Sequence, residues 1–367
     1  MPTPWVRDLE QTRRSIAEWM QTKLPGATDL RISELASPTA SGFSNETLLF
    51  DASWKERGEA QQQSLVLRIQ PTGFGIFPEY DMGLQYRAMD ALGPTDVPVP
   101  EMHWLEEEDT DIFGSPFYVM EQVQGRVPSD SPPYNMAGWM TELAPEEVAA
   151  VWWGGIECLA KIHRVDFRAV GLGFLDRPEL GETGIDQQLE YYERYLAWAA
   201  DGTPQPTAEA ALQWLKQNKP TDEPMGIVWG DARIGNIIFD VTCPAAVLDW
   251  EMVCAGSPET DLAWTLFLDR FQSEGIGVPK LEGFPSREET VARYEELSGH
   301  EVKHLHYYEV FAGFRFTVIG VRLAQQRVYY ETATEEDGHA AAVNSIMAQL
   351  TAKLLDLPAP STYLAAS

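Results

Sequence analysis

The stretch that decides the fold runs from Ile227 to Glu251 and reads IVWGDARIGNIIFDVTCPAAVLDWE. It contains Asp231, then Asn236 five positions later, and Asp249 near its end. An Asp, an Asn and a second Asp in this order match the base and the two metal ligands of a kinase-type phosphoryl-transfer site. The pattern therefore points to one active site built from a single short segment.

The spacing within this segment has a geometric test. Two β-prone apolar runs, 237–240 and 245–248, are separated by Val-Thr-Cys-Pro and predict a hairpin with a four-residue connection. Asn236 would then lie opposite Asp249, and directly opposite residues project to one face with Cβ atoms roughly 5 Å apart. An amide oxygen and a carboxylate at that separation suit Mg²⁺ that also holds nucleotide phosphates. The alternative is that Asp231, Asn236 and Asp249 are ordinary turn residues.

The segment resembles the aminoglycoside phosphotransferase-like kinases, also called the phosphotransferase enzyme family. The signature of that family is His-Gly-Asp, four residues, Asn and a later Asp, and Trp229-Gly230-Asp231, Asn236 and Asp249 match it here. The resemblance implies an α+β, bilobal protein-kinase-like fold. A small β-rich N-terminal lobe would take residues 1–121, and a mostly helical C-terminal lobe would take residues 122–367.

Hydrophobic periodicity agrees with this order of elements. The first 30 residues predict a helix, and a second helix is expected over 79–92. Strands are predicted at 30–35, 46–52, 64–70, 101–107 and 116–122, with the polar insert 55–63 as a hairpin tip. The rest of the chain is predominantly helical, with helices at 145–163, 185–200, 208–218, 259–271, 286–297, 301–330 and 335–355. Ser286 and Glu289 form a candidate capping box.

Arg68 and Gln85 occupy the positions of a kinase ion pair. Arg68 lies in the third predicted strand, where kinases carry the lysine that grips the α- and β-phosphates. A solvent-facing strand position is the alternative. The resemblance places Gln85 where the partner glutamate belongs, but glutamine cannot supply a full charge. Asp81, one helical turn earlier, is a candidate replacement.

The loop 37–45 (SPTASGFSN) lies where a phosphate-covering loop belongs, although it has one glycine only. Its hydroxyl and backbone N–H groups are predicted to contact phosphate oxygens, and a Ser/Thr-rich turn is the alternative. The predicted contact residues are Ser41, Gly42, Ser44 and Asn45. Glu121 and Val123, between the lobes, are expected to hydrogen-bond adenine through backbone groups.

Other residues near the segment have predicted roles. Arg233 is expected to be a catalytic cation that clamps the γ-phosphate. Trp229 replaces the histidine of the family as a packing residue with a donor N–H. The resemblance assigns Asp261 a structural role, in which it accepts backbone N–H bonds from the catalytic loop. Glu251 either faces the acceptor or lies on a solvated rim.

Histidines and aromatic residues outside the segment favour structural interpretations. His300, His304 and His306 lack the further ligands of a zinc site, so solvated helix positions are expected. His163 is predicted to be a hydrogen-bonded core or C-cap residue. A cluster at helical spacing is expected in the core, with an acceptor pocket as its alternative role: Tyr191, Tyr192, Tyr195 and Trp198.

Composition restricts the partners. The net charge of −29 over 367 residues disfavours nucleic acid, because a phosphate backbone would be repelled. For the same reason a bound nucleotide would need a divalent cation and nearby arginines. No apolar stretch is long enough to span a membrane. The N-terminus carries charges where a secretory signal needs an apolar block, and three scattered cysteines fit a reducing cytoplasm.

The sequence therefore predicts an enzyme that uses ATP, or GTP, with Mg²⁺ to phosphorylate a hydroxyl group of a small molecule. Asp231 and Arg233 are the expected catalytic residues, and Asn236 and Asp249 the expected metal ligands. The alternative is a nucleotide-binding pseudokinase or regulatory module without catalysis, which Gln85 and Trp229 motivate. Nothing in the sequence selects the acceptor or the oligomeric state.

Overall fold

The computed structural model describes residues 7–38, 45–108 and 110–360. Its N-terminal lobe contains the strands β1 (Ala27–Ile32), β2 (Glu46–Glu56), β3 (Glu59–Ile69), β4 (Met102–Glu106) and β5 (Phe117–Glu121). They form one antiparallel sheet in the order β1-β2-β3-β5-β4. Helix α1 (Leu9–Lys23) precedes β1, and α2 (Met82–Leu92) lies between β3 and β4. This is the order of elements that the sequence predicts.

The β2–β3 hairpin is longer than predicted. The polar insert 55–63 is the solvated end of the hairpin, as predicted, but the two strands continue into it and pair as far as Glu56 and Glu59. Arg57 and Gly58 alone form the turn, with φ values of 51° and 88°. Positive φ at both positions is what a two-residue hairpin turn favours. The insert lacks apolar alternation because it faces solvent, although its main chain continues the ladder.

The C-terminal lobe is mainly helical. Its longer elements are α3 (Pro145–Arg164), α4 (Gly184–Ala200), α5 (Pro206–Gln217), α6 (Glu259–Arg270), α7 (Arg287–Ser298), α8 (Leu305–Tyr329), α9 (Glu335–Val343) and α10 (Ile346–Leu354). The capping box of Ser286 and Glu289 is confirmed at α7. The single helix predicted over 335–355 is wrong: α9 and α10 are separate, because Ser345 caps α10 by accepting the N–H of Ala348. Across the described residues no helix combines the length and apolarity that crossing a bilayer requires.

Four short strands pair among these helices. Strand β6 (Gly226–Val228) pairs with β9 (Cys254–Gly256), and β7 (Ile237–Asp240) pairs with β8 (Cys243–Val247). The apolar core of the helical lobe extends into the sheet, because Val66, Tyr118 and Met120 belong to it. A second core cluster lies between α1 and the other face of the sheet. The lobes thus share a core, and the division after Glu121 stays a prediction.

The connection between β3 and α2 crosses from the sheet to the helical lobe. Arg322 of α8 donates two hydrogen bonds to the carbonyl of Gly75, from Nε at 3.2 Å and from Nη2 at 2.7 Å. The hydroxyl of Tyr195 in α4 donates to the carbonyl of Ile76 at 2.5 Å. We call this connection, residues 70–81, the β3–α2 strap. The strap connects the two lobes at a second place, apart from the segment after β5 where the chain passes into the helical lobe.

Candidate active site

The candidate catalytic loop follows β6 and is held from behind by Asp261 of α6. This buried carboxylate accepts the backbone N–H of Trp229 at 2.6 Å and that of Gly230 at 2.8 Å. The prediction for Asp261 is therefore confirmed. Gly230 has a φ of 97°, and a Cβ atom there would lie 2.3 Å from the carbonyl oxygen of Met252. Only glycine fits, because a side chain would meet rigid backbone.

Three donors surround the carboxylate of Asp231. The indole Nε1 of Trp264 donates to Oδ1 at 2.8 Å. Oδ2 accepts from Nδ2 of Asn236 at 2.7 Å and from Nε of Arg233 at 3.0 Å. Burial alone would raise the pKa of Asp231, but the Arg233 charge and these hydrogen bonds outweigh it and hold the pKa below its usual range. Asp231 is thus ionised at neutral pH.

Arg233 lies between two carboxylates. Besides Asp231, it contacts Asp130 through Nη1, and Asp130 also accepts from Nε2 of Gln272 at 3.3 Å. Burial would lower the pKa of Arg233, but the charges of Asp231 and Asp130 reverse this effect and raise it. The guanidinium is a cation held beside the candidate catalytic loop, and its role as a clamp for the γ-phosphate stays a prediction. Asp130 is a neighbour that the sequence did not indicate.

The predicted register of the β7–β8 hairpin is wrong. The turn consists of Val241 and Thr242 only, because Asp240 pairs with Cys243. A register shift follows, so that Ile237 pairs with Val247 instead of Leu248. The N–H of Leu248 donates to the carbonyl of Asn236 at 2.8 Å, so Leu248 takes the place opposite Asn236.

Asp249 comes one residue later and has a φ of 61°. This left-handed conformation ends the strand and turns the chain. The Asp249 carboxylate still lies within electrostatic range of Asp231 and Arg233. Asp249 is therefore near Asp231 without being paired with Asn236 across the hairpin, and the shared metal site of Asn236 and Asp249 stays a prediction.

Asn236 and Asp249 have the oxygen atoms that a hard cation needs. Asn236 uses its amide nitrogen on Asp231, donating to the main-chain oxygen at 3.0 Å as well as to Oδ2. Oδ1 of Asp249 is buried and has no hydrogen-bond partner among the described residues. One amide oxygen and one carboxylate fit Mg²⁺ that takes its other ligands from phosphates and water.

Burial and neighbouring charges act on the Asp249 carboxylate in opposite directions. Burial raises the pKa of Asp249, and the nearby Asp231 charge adds to this effect, while Arg68 and Arg233 offset part of it. Within the described parts of the chain, no group of three or more His, Cys, Asp or Glu side chains could enclose a metal. A divalent ion would therefore need a ligand besides the protein here.

Arg68 is directed at this carboxylate. Its Nη2 lies 3.6 Å from Oδ1 of Asp249. The predicted partners on α2 are engaged elsewhere: Gln85 accepts from the hydroxyl of Tyr118 at 3.2 Å, and Asp81 caps α2 through the N–H of Leu84 at 2.7 Å. The prediction that Asp81 replaces the kinase glutamate is therefore wrong. Asp249 supplies the carboxylate that faces Arg68.

Three of the remaining predicted nucleotide contacts are among the described residues: Asn45, Glu121 and Val123. Nδ2 of Asn45, at the start of β2, donates to Oε2 of Glu251 at 3.0 Å, which joins the two lobes across the cleft. Glu121 ends β5, and its N–H donates to the carbonyl of Glu101 at 2.8 Å. Val123 follows it in the connection between the lobes. Three predicted residues lie outside the described residues: Ser41, Gly42 and Ser44.

Trp229 links the candidate catalytic loop to the segment that contains Leu248 and Asp249. Its buried indole donates from Nε1 to the carbonyls of Leu248 at 2.9 Å and Asp249 at 3.2 Å. The predicted role as a packing residue with a donor N–H is confirmed. Because Asp231 and Asp249 lie at opposite ends of the segment, these bonds fix their relative position.

The structural interpretations of the other side chains are confirmed only in part. His300 and His304 precede α8 instead of lying in a helix, and Trp198 is exposed and not in the core. His163 is a core residue that contacts Asp261 through Nε2 at 3.1 Å and the Tyr294 hydroxyl through Nδ1 at 2.6 Å. Tyr192 and Tyr195 are buried. His304 lies 2.8 Å from Asp222, and no zinc-type cluster forms in the described residues.

Sequence reasoning missed two residues of α6 that contact the catalytic loop. Besides Trp264, Thr265 donates from its hydroxyl to the carbonyl of Ala232 at 2.7 Å. Both lie one helical turn after Asp261, so the three side chains share one face of α6. The assignment of Asp261 was the signal that could have predicted both residues. A helix that contacts the loop through one residue also directs its residues at i+3 and i+4 towards that loop.

Comparison with known proteins agrees with this arrangement. The model of the phosphotransferase enzyme family matches residues 36–296. Acyl-CoA dehydrogenase family member 11 of Rattus norvegicus is 30% identical over 293 residues, which cover 77% of this chain and 35% of the relative. The chain spans between 25% and 35% of the length of the first curated relatives that it matches.

Two solved structures show the same fold. A candidate aminoglycoside phosphotransferase from Ralstonia eutropha has a TM-score of 0.67 and 26% identity, with 94% of this chain and 98% of that chain covered. An aminoglycoside phosphotransferase solved in ternary complex with AMP-PNP and hygromycin B has a TM-score of 0.53 and 16% identity, with 91% and 98% covered.

Fold and site together define a protein of the kinase-like class. The chain belongs to the phosphotransferase enzyme family, since the matched residues 36–296 make up more than half of its length.

Proposed function

We propose that this protein transfers the γ-phosphoryl group of ATP, with GTP as the alternative donor, to a hydroxyl group of a small molecule. The observation that carries the proposal is the position of Asp231, an ionised carboxylate hydrogen-bonded to Asn236 and within electrostatic range of Asp249. These are the base and the two metal ligands that such a transfer requires.

In the proposed reaction, the acceptor oxygen forms a bond to the γ-phosphorus. The bond between this phosphorus and the bridging oxygen breaks, and the nucleoside diphosphate leaves with the electron pair. The hydroxyl proton passes to Asp231. Because the pKa of Asp231 is held low, its main contribution is to orient the hydroxyl, and it accepts the proton late. Positioning and charge stabilisation supply most of the catalysis.

The nucleotide would lie between the lobes. Asn236 and Asp249 would hold Mg²⁺, which would neutralise phosphate charge when bound. Arg68 would contact the α- and β-phosphates, and backbone groups of Glu121 and Val123 would face the adenine. The backbone N–H of Glu121 already donates to the carbonyl of Glu101. We therefore assign the carbonyl of Glu121, and not its N–H, to the hydrogen bond with adenine. Asn45 would contact a phosphate together with Ser41, Gly42 and Ser44.

We assign Arg233 to the transferred phosphoryl group. Its Nε and Nη1 atoms contact Asp231 and Asp130, and we propose that Nη2 faces the γ-phosphate. Two carboxylates hold the guanidinium in a fixed orientation, so little reorganisation is needed during transfer. Gln85 would act indirectly, since it orients Tyr118, which lies opposite Arg68 in the sheet.

For the acceptor we propose a hydroxylated acyl thioester as the first class to test. The motivating observation is the identity to relatives named acyl-CoA dehydrogenase family members, which this chain matches over 77% of its length in the rat protein. An aminoglycoside is the second class, because a solved structure of the same fold contains hygromycin B.

A nucleotide-binding module without catalysis is the second candidate function. The observation in its favour is the site around Gln85, where no α2 carboxylate pairs with Arg68. Against it, Asp249 supplies a carboxylate to Arg68, and Asp231, Asn236 and Asp249 are all present.

The test compares the wild-type protein with Asp231→Asn. Transfer of ³²P from [γ-³²P]ATP is measured with Mg²⁺ over hydroxyacyl-CoA thioesters, aminoglycosides and amino alcohols, and nucleotide binding is measured by calorimetry. We expect transfer to at least one acceptor by the wild type and none by Asp231→Asn, with nucleotide affinity changed by less than about threefold because the base does not hold the nucleotide. Normal turnover by Asp231→Asn would refute the assignment of the base. Nucleotide binding without transfer to any acceptor would favour the module.

A further inference from the structure

The hydrogen bonds of Asp231 leave one position for the acceptor hydroxyl. A carboxylate has about four lone-pair sites on its two oxygens. Asn236 and Arg233 occupy both sites of Oδ2, and Trp264 occupies one of the two on Oδ1. The second site on Oδ1 remains. If Trp264 did not hold the carboxylate, its plane could turn about the Cβ–Cγ bond, and the remaining lone-pair site would no longer have one fixed direction.

We propose that Trp264 is a positioning residue that fixes Oδ1 of Asp231 as the atom that receives the acceptor hydroxyl. The inference rests on the proposed function and adds a residue and an atom to it. Trp264 is 2% exposed, and its ring meets Phe316 edge-on, with centroids 5.5 Å apart. The donor N–H therefore has a fixed direction.

Helix α6 holds the whole loop in the same way. Asp261 accepts two N–H groups from the loop, and Thr265 donates to the carbonyl of Ala232. Trp264 lies between these two contacts in sequence and is the α6 residue that reaches the catalytic carboxylate itself. The backbone and the side chain of Asp231 are thus positioned by one rigid element, which favours a precise geometry.

Arg315 of α8 contacts both the Trp264 ring and the loop. Its guanidinium carbon lies 4.6 Å from the Trp264 ring centroid, and its Nη2 donates to the carbonyl of Gly230 at 2.9 Å. The Nε and Nη1 atoms are buried, with no hydrogen-bond partner among the described residues. A cation over an indole face is attracted by the ring electrons. It also polarises the ring and strengthens the N–H as a donor to Asp231. Arg315 is therefore a second positioning residue, which acts through Trp264 and Gly230.

The test uses Trp264→Phe, which keeps an aromatic ring and removes the donor. Trp19→Phe is the matched control, because Nε1 of Trp19 also donates to a carboxylate, that of Glu106 at 3.2 Å, in the N-terminal lobe. Trp264→Phe should lower kcat by about ten- to a hundredfold, since small misplacements of a catalytic group have effects of this size. The KM for MgATP should change by less than twofold. Trp19→Phe should leave both constants unchanged.

A second readout does not depend on turnover. In protein labelled with [¹⁵N]tryptophan, the indole N–H signal that disappears in Trp264→Phe belongs to Trp264. This signal should move upfield in Asp231→Asn, because a neutral acceptor forms a weaker hydrogen bond. It should also move upfield in Arg315→Met. In Arg315→Lys, its chemical shift should be close to that of the wild-type protein.

Each result decides a separate question. An unchanged kcat in Trp264→Phe, or an indole signal that is insensitive to Asp231→Asn, would overturn the role of Trp264. A signal that is insensitive to Arg315→Met would overturn the role of Arg315 alone. Wild-type protein that phosphorylates no acceptor would refute the proposed function and, with it, the catalytic role of Trp264. An indole signal that still responds to Asp231→Asn would then show only that Trp264 bonds to Asp231.

Discussion

Arg68 on β3 and Asp249 beyond β8 meet across the cleft between the lobes, with Nη2 of the arginine 3.6 Å from Oδ1 of the aspartate. The cation proposed for phosphate binding and the carboxylate proposed for metal binding thus face each other. Burial lowers the pKa of Arg68, but the neighbouring Tyr118, Asp249 and Glu251 reverse this effect and raise it. The arginine is charged, and a nucleotide entering with Mg²⁺ would supply a counter-charge to each side chain of the pair.

Replacing Arg68 by Met should weaken nucleotide binding. We expect the Kd for MgATP, measured by calorimetry, to rise by about tenfold or more, because a charge-assisted hydrogen bond to phosphate is lost. Arg87→Met is the control, since Arg87 lies exposed on α2 and pairs with Glu107 at 3.0 Å. Equal affinity in Arg68→Met and wild type would contradict the assignment of Arg68.

Replacing Asp249 by Asn should separate folding from metal binding. Burial raises the pKa of Asp249 and so makes its charged form less favourable, while the pair with Arg68 has the opposite effect. A neutral amide should therefore fold, with a melting temperature close to that of the wild type. Asn also tolerates the φ of 61° better than most residues. The increase in melting temperature with Mg²⁺ and ATP should be lost, whereas the exposed Asp240→Asn should keep it. A full Mg²⁺-dependent increase in Asp249→Asn would contradict the metal assignment.

Gly230→Ala should destabilise the fold more than Gly58→Ala does. Both glycines have positive φ, 97° and 88°, so each substitution should cost about 1–2 kcal/mol of backbone strain. A Cβ at Gly58 has no atom within 4 Å, whereas one at Gly230 meets the Met252 carbonyl at 2.3 Å. Urea unfolding of the two variants measures the difference. Equal losses would show that the loop moves to accommodate the methyl group.

Glu259→Gln should change the pH dependence of stability. Glu259 accepts the N–H groups of Lys303 at 3.0 Å and His304 at 2.8 Å. Burial would raise its pKa, but His300 and these hydrogen bonds outweigh it and lower the pKa below the ordinary value of 4.5. A lowered folded pKa stabilises the fold above the unfolded pKa, and this contribution is lost as pH falls through the folded value.

The free energy of unfolding should therefore differ most between wild type and Glu259→Gln near neutral pH, and the difference should shrink below pH 4.5. Urea denaturation over a pH series measures it. The exposed Glu288→Gln on α7 is the control and should track the wild type throughout. A difference that does not vary with pH would mean that the ionised form of Glu259 has no special role.

The fold and the order of the central site residues could be predicted because both are local signals. Asp231, Asn236 and Asp249 lie within one short segment, and alternation and helical periodicity located most elements. The hairpin register could not be predicted. Val241 adopts a φ of 55°, which is rare for a β-branched residue, so the sequence favoured a turn nearer Pro244.

The side chains around Asp231 were missed for a different reason. Trp264 and Asp130 reach the loop from 33 and 103 positions away in sequence. The spacing from Asp261 was the available signal for Trp264, whereas Asp130 lies in an irregular segment that no local pattern places beside the loop. Ser41, Gly42 and Ser44 remain predictions, as do Glu121 and Val123 as adenine contacts.

The β3–α2 strap restricts the motions that can admit a nucleotide. Arg322 and Tyr195 donate hydrogen bonds to its main chain. If the two lobes separated by a hinge motion at the residues after Glu121, these three hydrogen bonds would all break. A twist of the sheet about an axis through the strap would leave all three intact. If a nucleotide binds between the lobes as proposed, its exchange should therefore proceed by a rotation of the small lobe that leaves the strap in place.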